Sequence, residues 1–292
     1  MTASEKPVVV VVGSLHYDIM VDAPHRPRKG ETVTGSAWRP KFGGKGGNQA
    51  VAAAKAGSAV RMAGAVGDDD FGRFLLAALA AGGIDASHVA RLPGVGSGMS
   101  VAISDAGGDY GAVIVSGANL RADPAAFAEP GFWRDARALI LQNEAPERLN
   151  IAAARAARAA GARVCLNAAP YRPLSDELAG LVDLLVVNAI EAEQLGGSAV
   201  TDLASAARAA ELLCGRFPWV VVTAGGEGVA GSRRREPPTT LAALPVTLVS
   251  THGAGDVLVG ALVASLAAGH AFAECLESAN AAAAAHVSKR AG

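Results

Sequence analysis

A surplus of charge of either sign is what this chain most plainly lacks. Its 292 residues carry 26 Lys plus Arg against 27 Asp plus Glu, a formal net charge of −1. That balance gives no basic footprint for nucleic acid or an anionic lipid surface, so a small molecule is the expected partner, with no nucleic acid and no membrane. Cysteine is scarce as well. Cys165, Cys214 and Cys275 are scattered, odd in number and without a CxxC spacing. A disulfide framework and a zinc site are therefore unsupported, and a reducing compartment fits. Long hydrophobic runs are absent: Val257 to Gly269 falls short of the roughly 20 residues of a membrane span. Val8 to Val12, after Lys6, is too short for the core of a signal peptide. A cytoplasmic location is the expectation.

What is present is a composition that folds, 51% hydrophobic and 18% charged, enough to bury a sizeable core. Val8 to Val12 is a β-branched run of the kind buried on both faces of a parallel sheet. Short runs recur at Val60 to Val66, Ala138 to Leu141, Arg163 to Leu166, Leu184 to Val187 and Trp219 to Val222. Between them lie Ala-rich helix formers: Gln49 to Ala56, Phe71 to Ala81, Glu147 to Ala160, Ala189 to Leu195, Asp202 to Leu213 and Asp256 to Ala268. This alternation predicts an α/β sandwich with a mostly parallel sheet. Two stretches break the rhythm. Ile19 to Phe42 surrounds the alternating Glu31 to Thr34, and Gly98 to Gly117 reads as a hairpin of Ser100 to Ser104 and Ala112 to Ser116. Together they predict a small antiparallel sheet, either a cover that excludes water from a reaction or a pair of plain surface hairpins.

Glycine, at 35 residues, is in excess, and three clusters hold its informative part. Gly43-Gly44-Lys45-Gly46-Gly47-Asn48 precedes a helix and lets backbone approach a ligand closely. It is not a P-loop, because no Ser or Thr follows Lys45, and Gly13 has no GxGxxG continuation. Thr223-Ala224-Gly225-Gly226-Glu227-Gly228 ends a strand, where parallel sheets bind ligands; it reads as a phosphate or ribose contact, or as a simple turn. Ser250 to Asp256 opens a helix whose free N–H groups suit a phosphate. There Asp256 is either a helix cap or the base that phosphoryl transfer needs beside an anion hole.

These residues carry a resemblance that spans nearly the whole chain. The run Gly43 to Ala50, followed by Gly57 and Gly67, resembles the first signature of the ribokinase-like (PfkB-type) sugar kinases, and Ser250 to Val263 resembles the second. Gly13 to Asp18, Gly30 to Gly35, Gly117 to Asn119, Asn188 to Glu191 and Asn280 to Ala284 are similar to the ribokinase branch of that family in particular. The resemblance implies a single three-layer α/β/α domain over residues 1–292, with lid segments at about 18–42 and 98–117. The implied reaction is transfer of the ATP γ-phosphoryl to a primary hydroxyl of a pentose, ribose to ribose 5-phosphate. A nucleoside, deoxyribose or a ketohexose is the alternative acceptor, and a silent ligand-binding protein on the same fold is the alternative class. Asp256 would be the catalytic base, and the N–H groups of Gly253, Ala254 and Gly255 the anion hole. His16, Asp18, Gly43, Gly44, Lys45, Gly46, Gly47, Asn48, Glu144 and Asp256 would hold the sugar. Thr223, Gly225, Gly226, Glu227, Gly228, Gly255 and Asn280 would contact ATP, and Asn188 with Glu191 would organise Mg²⁺ and phosphate through waters. Lid pairing implies a homodimer.

Two departures from the family pattern stand out. His16 replaces an Asn that faces the sugar, and Ser250 replaces the Asp of a monovalent-cation site, while the chain stops at Gly292, before a further ligand of that site. Carbonyls of Ser250, His252, His286, Lys289 and Ala291 could still coordinate K⁺, but without the carboxylate the expected activation by potassium is reduced or absent.

Overall fold

The computed structural model of the protein describes residues 6–105, 107 and 110–288. Its strands in chain order are β1 (Val8–Val12), β2 (His16–Asp22), β3 (Ala37–Gly43), β4 (Ala59–Gly67), β5 (Asp85–Leu92), β6 (Met99–Ser104), β7 (Tyr110–Val115), β8 (Ala136–Gln142), β9 (Arg163–Asn167), β10 (Leu184–Asn188), β11 (Trp219–Thr223), β12 (Gly228–Arg233) and β13 (Thr239–Ala242). The helices are α1 (Lys45–Lys55), α2 (Asp70–Ala81), α3 (Glu147–Ala159), α4 (Asp176–Leu181), α5 (Ala189–Gln194), α6 (Leu203–Leu213), α7 (Ala254–Ala267) and α8 (Phe272–Val287).

A nine-stranded sheet runs in the order β13-β12-β11-β10-β9-β8-β1-β4-β5. It is parallel from β11 to β5, and the β11-β12-β13 edge is antiparallel. The valine run of β1, third from the β5 edge, feeds two cores at once, because successive side chains of a strand point to opposite faces. Val10 and Val12 pack into a core shared with α3, α4 and α6, while Val9 and Val11 join α1, α2, α7 and α8. Leu139 and Leu141 of β8 divide from Ala138 and Ile140 in the same way. The three-layer α/β/α sandwich follows from that alternation, with the sheet buried between two helical layers.

The second sheet has the order β3-β2-β6-β7. The expected antiparallel pairing is found in β2–β3 and β6–β7, and the junction β2–β6 is parallel. Residues 31–34 are not a strand; the β2 partner is residues 37–43. Pro40 lies in that strand because β3 is an edge, where a missing N–H leaves no ladder bond unmade. The turn of the second hairpin, Ala106 to Asp109, lies largely outside the described residues.

Two junctions set the geometry of the site. α7 is apolar nearly all round and packs against α1 so closely that a Cβ on Gly260 would lie 2.4 Å from the Cβ of Ala52. At the base of the second sheet, the buried Asn119 accepts from the Leu15 N–H and donates to the Leu15 and Ser116 carbonyls, each at 2.9 Å. Among the described residues no helix is long and apolar enough to cross a membrane.

Candidate active site

The carboxyl ends of β1, β8, β9, β10 and β11 open on one side of the sheet, and the sequence motifs gather there. The loop after β1 and the first turn of α1 meet through backbone alone. A Cβ on Gly46 would fall 2.6 Å from the Ser14 nitrogen, and one on Gly47 would fall 2.6 Å from the Phe42 ring. Gly44, at φ 84°, has the left-handed backbone that favours glycine, and a Cβ there would lie 2.8 Å from the His16 nitrogen. Gly44 caps α1 without a side-chain bond, and Glu144 takes over that role. Its Oε2 accepts from the Lys45 N–H at 2.8 Å and from the Ser14 hydroxyl at 2.5 Å, a carboxylate at the positive end of a helix.

Around this bed the polar groups face inward. Asp18 is buried, its Oδ1 accepting from the Ser100 hydroxyl at 2.5 Å, and its carboxylate occupies the space that any side chain at Gly43 would need. His16 is 4% exposed. Its Nδ1 stands 4.0 Å from Glu144 Oε2, and its Nε2 has no hydrogen-bond partner. A buried ring nitrogen left unpaired is costly and awaits a partner.

Asp256 lies in the first turn of α7 and is buried, yet it faces no cation at ion-pair distance among the described residues. Two amides hold it: Asn48 Nδ2 donates to Oδ2 at 3.1 Å and Gln49 Nε2 to Oδ1 at 2.9 Å. Burial pushes its pKa up, the largest influence, against the downward pull of the Lys45 charge and of these two hydrogen bonds. Gly253 precedes it as the helix cap in the left-handed conformation, at φ 83°. Of the three expected anion-hole donors, the Gly253 and Gly255 amides have no acceptor among the described residues, whereas the Ala254 N–H donates to the Thr251 carbonyl at 3.2 Å.

A cavity of about 130 Å³ adjoins this helix end, lined by Asp256, Gly255, Lys45, Asn188, Glu191 and Thr223 among others. Asn188 and Glu191 form a capping box on α5, each side chain accepting from the other's N–H. The motif is thus a helix start as well as a polar wall of the cavity, and burial raises the Glu191 pKa.

Other expected residues stand apart from this cavity. Gly225 to Gly228 form the β11–β12 turn, and Asn280 donates to the Ala242 carbonyl at 2.8 Å, tying α8 to the end of β13. Of the expected cation ligands, Lys289 and Ala291 lie outside the described residues. The His252 carbonyl contacts the His286 Nε2 at 2.9 Å, and the Ser250 hydroxyl accepts from the His252 N–H at 3.2 Å. No group of three or more His, Cys, Asp or Glu able to hold a metal occurs among the described residues.

Sequence reading did not single out Ser14, Gln49, Asn167 and Ser100 as site residues. Gln49 is the instructive case, a fully buried amide in an otherwise Ala-rich helix that bridges Asp256 and the Asn167 Oδ1. A polar side chain on the apolar face of α1 was the available signal.

Comparison with known proteins agrees with this geometry. Residues 6–292 match the pfkB family carbohydrate kinases. A ribokinase of Haemophilus influenzae is 33% identical over 290 residues, covering 97% of this chain and 92% of its own length. One of Bacillus subtilis is 34% identical over 280 residues, covering 94% and 91%. The solved structure of Arabidopsis thaliana ribokinase complexed with ribose and ATP superimposes with a TM-score of 0.90 at 29% identity, covering 98% of this chain and 94% of that one. With its signature residues gathered at the strand ends and a family match over nearly its whole length, the chain belongs to the PfkB family and is an ATP-dependent carbohydrate kinase.

Proposed function

We propose that this kinase phosphorylates the primary hydroxyl of a pentose, ribose to ribose 5-phosphate, with Asp256 as general base. The hydroxyl proton passes to the Asp256 carboxylate as the sugar oxygen bonds to the γ-phosphorus. The bond from that phosphorus to the bridging oxygen breaks, and ADP leaves. The observation that carries this reading is the buried Asp256 carboxylate, held by neutral amides and by no cation, beside unpaired N–H groups at the start of α7. Such a carboxylate is basic enough to take a proton and is already oriented.

On this reading Asp18, Asn48, Glu144 and His16 hold the sugar hydroxyls, the unpaired His16 Nε2 gaining a partner on binding. The amides of Gly253 and Gly255 receive the transferred phosphoryl group, and Ala254 joins them when its bond to Thr251 is released. Lys45, in the same cavity, supplies positive charge. Thr223, the Gly225 to Gly228 turn and Asn280 border the nucleotide. Glu191, with one oxygen committed to the Asn188 N–H, leaves the other for a water of Mg²⁺, an ion that keeps much of its water shell. Bound there, Mg²⁺ would neutralise charge on the triphosphate. A cation site built from Ser250, His252 and His286 has no carboxylate of its own, so potassium activation is expected to be weak.

The exposed lid strand points to a homodimer. Val113, Ile114 and Val115 of β7 are 68%, 58% and 51% exposed, an uncovered apolar edge that a second copy would bury.

An ATP-consumption screen over pentoses, ketohexoses and nucleosides should give ribose the highest kcat/KM; a clear preference for another acceptor overturns the substrate. Asp256→Asn should lower kcat by about 10²- to 10⁴-fold and leave ribose binding, read by calorimetry, within a few-fold. An unchanged kcat would refute the assigned base.

A further inference from the structure

The opposite rim of the sheet carries a second cleft. At the amino ends of β8, β9, β10 and β11, and against the last turns of α7, a cavity of about 370 Å³ opens. That volume lies within the range of small-molecule sites, roughly 300–1,000 Å³. Its floor is apolar, with Cys165, Leu184, Val263 and Leu266, and one wall is the half-buried indole of Trp219.

The charge at its rim is unbalanced. Arg137 and Arg163 line the cleft, and neither meets a carboxylate at ion-pair distance among the described residues. The one acid of the lining, Asp183, is already engaged. Its Oδ2 accepts from the Val164 N–H at 2.8 Å, and its Oδ1 pairs with Arg158 at 3.2 Å. Arg163 and Arg233 both lie over Trp219, each guanidinium carbon 4.7 Å from the ring centroid, and Phe272 packs edgewise on it, so positive charge and what the indole leaves open to the cleft are adjacent. The carboxyl end of α7 brings partial negative charge to the other side of the cleft. An anionic group is therefore directed to the arginines, and an apolar body to Trp219 and Leu266. Planar guanidinium groups suit carboxylate and phosphate, and they stack on aromatic rings.

We infer that this cleft binds a small aromatic anion, with its carboxylate or phosphate held by Arg137 and Arg163 and its ring against Trp219. The site is separate from the catalytic one. Asp256 in the first turn of α7 and the cleft-lining Leu266 in its last turn lie at opposite ends of that helix, about 15 Å apart at 1.5 Å per residue.

The test uses the full-length chain with its catalytic site filled by ribose and a non-hydrolysable ATP analogue. 2-Naphthoate and 2-naphthyl phosphate are titrated, with neutral 2-naphthylmethanol as the control, and heat and tryptophan fluorescence are followed. At least one anion should bind saturably at one per chain, at least tenfold more tightly than the neutral control, and the anion that binds tells carboxylate from phosphate. Arg163→Gln and Arg137→Gln should each weaken binding about tenfold, a loss of about 1.4 kcal/mol, and Asp256→Asn should leave it unchanged. Arg137 is an exposed side chain with no hydrogen bond or ion pair among the described residues, so its variant folds and carries the test if Arg163→Gln does not. The inference is overturned if neither anion saturates, if the neutral compound binds as tightly, if the Arg137 variant binds like the parent, or if the nucleotide analogue competes.

Discussion

At the scale of the residue, Asp256 shows how a helix position becomes a reactive group. A carboxylate in the first turn of a helix is ordinarily a stabilising feature. Here burial opposes its ionisation, and only two amides and the nearby Lys45 charge offset that opposition. A base whose pKa is raised stays protonated, and so inactive, to a higher pH than an ordinary aspartate at about 3.9. The acidic limb of kcat/KM should therefore have its midpoint above that value. Gln49→Met keeps the side-chain volume but removes one donor to the charged form, so it should move the limb to higher pH. A pH–rate profile of both proteins checks the direction; a limb that stays in place or moves down shows that Gln49 does not set the base. Asp256 was legible in the sequence because its motif is local, whereas the Gln49 bridge joins residues 207 positions apart and appears only once α1 and α7 are packed.

At the scale of the element, legibility followed the source of order. β1 was readable from its five valines because burial on both faces demands such a run. The partner of β2 was not, because alternation at residues 31–34 is a local cue, and pairing selected residues 37–43 despite Pro40. The strands β5, β12 and β13 and the helices α4 and α8 likewise carry no clear local cue in the sequence. β12 has two glycines among its six residues and acquires its structure from its hairpin with β11. The glycine run at residues 43–47 reads as an approach of backbone to a ligand, whereas in the fold Gly44 and Gly46 approach the backbone of the β1 loop. Gly44→Ala tests that reading. A left-handed backbone angle and a contact of 2.8 Å to the backbone both oppose a Cβ. The variant should lower the unfolding midpoint by about 5 °C or more, the effect of roughly 2 kcal/mol in a chain of this size. It should also raise KM for the sugar, because Asn48 and the Lys45 amide sit on the displaced turn. Calorimetric melting and steady-state kinetics read the two effects separately.

At the scale of the whole molecule, the two sheets differ in how they meet water. The nine-stranded sheet is covered on both faces, and the four-stranded lid is not. Val113, Ile114 and Val115 of β7, and Trp38 on β3 at 65% exposure, leave bare hydrophobic side chains on both edge strands of this sheet. For the dimer proposed above, Val113→Lys combined with Val115→Lys should give a monomer in analytical ultracentrifugation, while Asp256 and its amides are untouched. A parent protein that sediments as a monomer removes the dimer from the account. The Asn119 clamp bears on how such a lid can move. Leu15 at the foot of one arm and Ser116 at the foot of the other are bolted through a single buried amide, and β2 is paired to β6 along its length. Among the described residues the second sheet has no seam along which its arms could part, so a lid movement of this sheet would be the swing of one plate about one pivot. Two optical labels, one on each arm, would hold a constant mutual distance through the catalytic cycle while both approached the sandwich together.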